Sequence, residues 1–276
     1  MSPSDSRSPG LVTFLTDFGY GDEYAGVCRL VMTTADPPAR VVDITHGIPP
    51  GDVRRGALAL AAAVRFSPRA VHLAVVDPGV GTNRRAIVLQ AGGHHLVGPE
   101  NVLLMPASEA LGGVEAAFDI SDTPLRVGDS DTFHGRDVFS PVAAALAGGA
   151  AAGEVGAPVG FSDLTQLDLP RPEITPEALT GHVLFLDQYG NASLDLYSEA
   201  LRRTFLTESV AVWMETPRQK MMIPFGRTFG DVATGEPVLF LDSSGHLAIA
   251  VNRGSAASRF GLVPDDVVRI TPAASA

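Results

Sequence analysis

Along residues 11–90, short runs rich in β-branched residues alternate with alanine-rich stretches whose apolar positions recur at helical spacing. The first kind, at 11–15, 40–44, 71–76 and 86–90, predicts strands, since a strand covered on both faces is apolar almost throughout. The second kind predicts helices over 23–35, with Asp22 as cap, and over 53–66. A further helix is expected over 137–147. Strand and helix in alternation is the pattern of an α/β domain with a mostly parallel sheet covered on its faces.

Near residue 164 the pattern changes. Leu169-Pro170-Arg171-Pro172-Glu173-Ile174-Thr175-Pro176 sets three prolines within seven positions and cannot continue a helix. Beyond it, 182–186, 210–215, 221–225, 238–242 and 246–251 alternate or carry β-formers, and Asp242-Ser243-Ser244-Gly245 forms a hairpin turn between the last two. The expected organisation is an α/β domain over 10–164, a linker over 165–180, and a smaller all-β antiparallel domain over 181–272.

Composition narrows the setting. A chain of 276 residues with 45% hydrophobic content can bury one large core or two unequal ones. The 31 acidic against 20 basic residues give a net charge of -11 with no basic run, which argues against nucleic acid and anionic lipid as partners. The lone cysteine, Cys28, excludes an internal disulfide and a multi-thiolate metal site, and its apolar neighbours predict a buried, inert thiol. The longest unbroken apolar run, 57–64, is far short of the ~20 residues of a membrane span. Residues 1–10 are polar and Pro/Ser-rich, without the apolar core of a signal peptide. The expectation is a cytoplasmic protein with a frayed start.

Chemistry concentrates in three turns. Asp77-Pro78-Gly79-Val80-Gly81-Thr82-Asn83-Arg84-Arg85 follows the strand run 71–76, at the kind of strand end where open α/β sheets bind ligands. Its glycines permit a tight turn that brings Asp77 and Arg84 together. A carboxylate so paired stays ionised and oriented, and can hold or polarise a water; taken alone, the pair reads first as a structural ion pair. Thr16-Asp17-Phe18-Gly19-Tyr20-Gly21-Asp22 lacks the G-x-G-x-x-G spacing of a dinucleotide site, so a nicotinamide-dependent enzyme is a poor match. Asp17 suits a ribose diol, since one carboxylate accepts two hydroxyls, and equally suits a turn or cap. In Thr132-Phe133-His134-Gly135-Arg136-Asp137 a helix is expected to start, capped by Asp137 or Thr132. Of seven histidines His134 is the best acid/base group, with His46 the runner-up. His72, His182 and His246 sit in strand runs and read as satisfied core or surface residues. His94 and His95 lie in or beside a turn and point to opposite faces, which argues against a shared metal.

With these motifs in order, the chain resembles the S-adenosylmethionine hydrolase family, the hydroxide adenosyltransferases. Its members carry T-D-F-G followed by D, then D-P-G-V-G-T-x-R-R, G-P-[DE]-N, F-H-G-R-D and a late A-V-N, found here at 16–22, 77–85, 98–101, 133–137 and 249–252. The resemblance implies hydrolysis of S-adenosylmethionine to adenosine and methionine, with Asp77, Arg84 and His134 positioning the attacking water. It implies that Asp17 binds the ribose diol and that Asp22, Asp187 and Ser243 hold the amino-acid end, with Ser244 nearby. Tyr189 and Phe229 would sandwich adenine, whose edge Asn191 and the backbone of Val251, Asn252 and Arg253 would read. Without the resemblance both aromatics default to β-domain core.

Halide-using relatives, the fluorinases and chlorinases, are the competing enzyme reading. They carry Tyr in place of both the Asp and the His of the triad. Gly135 joins the substrate contacts and stands where the fluorinating branch has serine, although chlorinating members also have glycine there. Tyr189 stands where halogenating relatives often have Phe, the loop 187–191 looks one residue shorter than theirs, and Ser244 departs from their arginine. No metal or cofactor is implied, S-adenosylmethionine being the substrate itself. The implied assembly is a homotrimer, with sites between the large domain of one chain and the small domain of the next. A non-catalytic S-adenosylmethionine or adenosine sensor is the remaining alternative.

Overall fold

A computed structural model of the chain describes residues 10–34, 38–165, 170–207 and 210–273. It divides into two compact units, Met1–Leu167 and Asp168–Ala276. The polar start at 1–9 and residues 166–169 of the expected linker lie outside the described residues.

The first unit is built on seven strands: β1 Leu11–Thr16, β2 Arg40–Thr45, β3 Val71–Val75, β4 Ala86–Ala91, β5 His94–Pro99, β6 Ala116–Asp119 and β7 Ala157–Val159. They form one sheet in the order β2-β1-β3-β5-β4-β6-β7. The pairings from β2 to β5 are parallel, and those from β5 through β4 and β6 to β7 are antiparallel. The sheet is therefore mixed rather than mostly parallel. The reason is local: β4 and β5 are joined by Gly92-Gly93 alone, both at positive φ (54 and 77°), and so short a loop can only make an antiparallel hairpin. His94 and His95 accordingly open a strand.

Helices cover both faces. On one, α1 (Tyr24–Thr33) and α4 (Ser140–Gly148) bury Cys28, Met32, Val142 and Leu146 against Val12, Phe14, Leu73 and Val75 of the sheet. Burial pushes the Cys28 thiol up to about 11, as an inert core thiol requires. On the other, α2 (Val53–Val64) and α3 (Met105–Ala110) lie over Leu15, Ala74, Val76 and Leu89. Alternate strand residues thus feed separate cores. A short α5 (Ala152–Val155) precedes β7.

Helix starts differ from the sequence expectation. Glu23, not Asp22, precedes α1, and it makes no side-chain cap; the built cap is Asp52, which accepts the Arg55 N–H at 2.9 Å and starts α2. The helix expected over 137–147 opens with a π-helical turn, Gly135–Phe139, that runs into α4. Neither Asp137 nor Thr132 caps it. Asp137 is buried and accepts the Ser130 N–H at 3.0 Å while Arg136 pairs with it.

The second unit holds β8 Glu173–Ile174, β9 Leu179–Leu186, β10 Ala192–Tyr197, β11 Ala211–Glu215, β12 Lys220–Pro224, β13 Pro237–Leu241, β14 His246–Val251 and β15 Val267–Pro272. The order is β12-β11-β15-β9-β10-β14-β13, with β8 beside β9, and these pairings are all antiparallel. A bridge from Phe225 to Leu239 brings the two edges together, so the sheet nearly closes on itself. β8 and the start of β9 fall within the stretch expected as linker. Two short helices, α6 (Ser198–Leu201) and α7 (Ala256–Phe260), add to the strands. No helix among the described residues is long and apolar enough to cross a membrane.

Candidate active site

The parallel half of the first sheet sets the site. β1 delivers Asp17, one residue beyond its end, and β3 delivers Asp77, two residues beyond its end; the two strands pair in parallel, so both carboxylates stand at the same end of the sheet. The turn after Asp77 is closed by Val80 N–H to the Asp77 carbonyl at 3.3 Å and by Thr82, whose N–H and hydroxyl both donate to the Gly79 carbonyl (3.1 and 2.7 Å). Gly81, at φ +77°, lies where a Cβ would come within 2.8 Å of the Asp131 carbonyl oxygen. That close approach draws the loop carrying His134 over the turn.

Arg84 joins the parts. Its Nε donates to Asp77 Oδ1 at 2.9 Å, and its Nη2 donates both to Asp77 Oδ2 and to His134 Nδ1, the latter at 2.9 Å. The Asp77 and Arg84 side chains are only 6% and 10% exposed, and the guanidinium lies 5.4 Å from the Phe139 ring centre. A guanidinium has no lone pair to give, so His134 Nδ1 must accept and its proton resides on Nε2. Burial first, then the cations Arg84 and Arg126, push the His134 pKa down. His134 is therefore neutral, with one nitrogen locked and the other a donor.

Asp17 accepts the Gly51 N–H at 2.8 Å through Oδ2. Burial and the charge of Asp77 raise its pKa, as expected of two carboxylates sharing a site. Gly135 is buried, and a Cβ there would meet the Phe18 ring at 3.0 Å. Beside these residues Phe133 lies edge-on to both Phe18 (6.0 Å between centres) and Tyr24 (5.3 Å), which are tilted to each other at 6.1 Å. Asp22 is exposed on the bend before α1.

The other sequence-derived residues lie in the second unit. Asp187 Oδ1 accepts the N–H groups of Tyr189 and Asn191, both at 2.9 Å, and its Oδ2 accepts Asn191 Nδ2 at 2.8 Å. This carboxylate organises its own loop. Tyr189 and Phe229 are 70% and 51% exposed rather than core, Phe229 edge-on to Phe240 at 6.0 Å. Ser243 and Ser244 are exposed on the β13–β14 turn, where Asp242 Oδ1 accepts the Ser244 N–H. Val251 is buried at the end of β14; the Asn252 N–H donates to Glu236 and its carbonyl accepts from Gly235, while Arg253 is exposed with φ at +56°.

Three groups were missed in the sequence. Gly51 holds Asp17, Phe139 underlies Arg84, and Arg126 adds positive charge near His134. Only Pro49-Pro50-Gly51-Asp52 carried a turn signal. Three other histidines have partners of their own: His182 has Asp195 at 2.8 Å, His246 the Leu194 carbonyl at 3.0 Å, and His72 both Thr13 and His94.

Residues 12–156 match the profile of the SAM hydroxide adenosyltransferase N-terminal domain and 181–269 that of its C-terminal domain. A protein of Salinispora tropica named (R)-S-adenosyl-L-methionine hydrolase is 47% identical over 263 residues, covering 94% of this chain and 97% of its own. The crystal structure of an uncharacterized conserved protein from Thermotoga maritima superposes with a TM-score of 0.87 at 34% identity, covering 94% of this chain and 99% of that one. A fluorinase of Actinopolyspora mzabensis is more distant, 26% identical over 305 residues, with 97% of this chain and 99% of that protein covered.

Proposed function

The chain belongs to the SAM hydroxide adenosyltransferase family, and on that premise we propose that it hydrolyses S-adenosyl-L-methionine to adenosine and L-methionine. The observation that carries the water-using reaction is the contact of the nearly buried Asp77–Arg84 pair with the half-buried His134, beyond the end of β3. The family resemblance puts Tyr at both the Asp and His positions in the halide-using branch. Relatives named hydrolases at 40–47% identity support the same reading.

The sulfonium is already activated, since methionine leaves as a neutral thioether. Water oxygen bonds to the ribose C5′ as the C5′–S bond breaks; the electron pair stays on sulfur, and the protonated alcohol sheds its proton to solvent. Asp77, fixed by Arg84, accepts a hydrogen bond from that water, and the His134 Nε2–H donates toward it. The rate enhancement comes from in-line placement and from dipoles already oriented before reaction.

Asp17, keeping acceptor capacity beside its Gly51 bond, takes the ribose diol. The exposed Tyr189 and Phe229 stack on adenine; Asn191 and the Val251, Asn252 and Arg253 backbone face its edge; Asp22, Asp187, Ser243 and Ser244 face the amino-acid end; Gly135 leaves room at the ribose. We assign the active assembly as a homotrimer in the cytoplasm, each site completed by a neighbouring chain. The relatives are named for the (R) sulfonium, and the same epimer is the proposed substrate.

Incubating the purified protein with each resolved epimer, with and without chloride or fluoride, tests this. Adenosine and methionine should appear from the (R) form at equal rates with or without halide. A 5′-halogenated adenosine formed faster than adenosine would move the chain to the halide-using branch, and binding without product would make it a sensor. Sedimentation at micromolar concentration should give three times the chain mass of 28.8 kDa.

A further inference from the structure

His46, second in rank among the histidines in the sequence, has no part in the hydrolytic site above. It follows β2 directly, is completely buried, and sits edge-on between the rings of Phe14 (4.8 Å) and Tyr20 (5.4 Å). Its bonds converge on the loop that carries Asp17. His46 Nδ1 and Thr16 Oγ1 are 2.8 Å apart, and the same hydroxyl accepts the Phe18 N–H at 3.1 Å. The Gly19 N–H donates to the His46 carbonyl at 2.8 Å, and the His46 N–H donates to the Tyr20 hydroxyl at 3.1 Å. Residues 16, 18, 19 and 20 are thus fastened to His46 directly or through Thr16, with Asp17 between them.

The far side of the ring is equally fixed. Arg29 Nη2 and Asp43 Oδ1 lie 3.1 and 3.2 Å from His46 Nε2, and Arg29 pairs with both oxygens of Asp43. This Asp–Arg–His group joins β2 to α1. The Thr16 bond holds in either tautomer: Nδ1–H donates to the hydroxyl, or the hydroxyl donates to Nδ1.

We propose that His46, braced by Arg29 and Asp43, is a positioning residue that fixes Asp17 for the ribose diol; this rests on the role given to Asp17 in the hydrolase reading. Its effect belongs to substrate and product binding rather than to the attacking water, which is served by groups on the 77–85 turn and the 133–135 turn.

The test is a set of variants read by KM, kcat and adenosine affinity. Thr16→Val keeps the volume and removes the hydroxyl; KM and the adenosine Kd should each rise about tenfold, the weight of one hydrogen bond, with kcat within about threefold. His46→Asn places an amide where Nδ1 was and His46→Gln places it where Nε2 was. Asn should bind adenosine more tightly than Gln, although Gln fills the cavity better, so a role in packing alone gives the reverse order. In an Asp17→Ala background Thr16→Val should add less than about twofold, because groups acting as one unit are not additive.

Full additivity with Asp17→Ala, a loss confined to kcat, or Gln binding as tightly as Asn would each overturn the proposal. Should the His46 variants fail to fold, the Thr16 and Asp17 cycle decides alone. A parent protein that releases no adenosine would remove the hydrolase reading, while the adenosine-affinity arm would still judge His46.

Discussion

His134 Nδ1 is occupied by an Arg84 N–H, and that single contact fixes a pH dependence. A proton arriving at Nδ1 must expel a guanidinium donor, and burial first, then the charges of Arg84 and Arg126, depress the His134 pKa. The neutral, productive form therefore persists below the ordinary histidine value of about 6.5, and is lost only as pH falls through the depressed value. The acid limb of kcat/KM should lie below pH 6.5, measured by adenosine release across pH 4 to 8. A limb at or above 6.5 would contradict this assignment. Asp77→Asn and His134→Ala should each lower kcat by about 10²-fold or more with KM within about threefold, since they act on the water and not on substrate binding. Asp77→Asn should also lower the melting temperature, because it strips an almost buried cation of its charged partner.

Among the elements, the π-turn Gly135–Phe139 aims His134 and is itself held from outside. Asp137 within it accepts the Ser130 N–H, and its carbonyl accepts the Val127 N–H. Burial raises this carboxyl, but Arg136 and the Ser130 N–H together hold it below the usual carboxylate range. Gly128 packs directly on it: a Cβ there would lie 2.6 Å from Asp137 Oδ1. Gly128→Ala should therefore cost about 1–3 kcal/mol of stability, the usual penalty of overpacking, and displace the turn; thermal unfolding checks the first and kcat the second. Unchanged values in both would free the 127–130 loop of this role. Such tightness was invisible in the sequence, where Gly128 and Asp137 stand nine positions apart. The strands before Asp17 and Asp77 were legible, because burial on both faces leaves continuous apolar runs. β5 was not, since two histidines open it and Gly-Pro closes it, although Gly92-Gly93 was a hairpin signal standing in plain view. The Asp77–Arg84 pair was legible because both residues sit in one short glycine-rich turn, and His134 because it stands in a short motif of its own. Gly51, Arg126 and the Arg29–Asp43 brace were not, because only the fold brings them to their partners. The exposure of Tyr189 and Phe229 also lay beyond composition, which assigns aromatics to cores.

For the whole molecule, the histidines at the other end of β3 are expected to weaken stability in acid, together with His46 and His134, whose values are also lowered. His72 lies near the start of the strand whose far end leads to Asp77. Its Nδ1 meets Thr13 Oγ1 at 2.7 Å and its Nε2 meets His94 Nδ1 at 3.0 Å, the two rings stacked 5.1 Å apart. Burial, and then His94, lower the His72 pKa to about 3, and burial and Arg69 lower His94 and His95 as well. The sign follows from linkage: the unfolded chain takes up these protons near pH 6.5 and the folded chain does not. Stability is thus fully present above 6.5 and declines as pH falls toward 3, by about 1.4 kcal/mol per pH unit for one such histidine. Asp43 and Asp137, whose folded values are lowered, act in the same sense only at the acid end, where unfolded carboxyls titrate. Asp17, raised, acts in the opposite sense, but a difference between two proteins that both contain it cancels its term. Urea unfolding of the parent and of His72→Gln at pH 7.5, 6.5, 5.5 and 4.5 isolates the histidine. The variant should be less stable at pH 7.5, where its hydrogen bonds are disturbed, yet lose less on acidification, so the two curves converge as pH falls. Parallel curves would mean that His72 takes up its proton in the folded protein as readily as in the unfolded chain, which would overturn this account of the buried chain from Thr13 to His94.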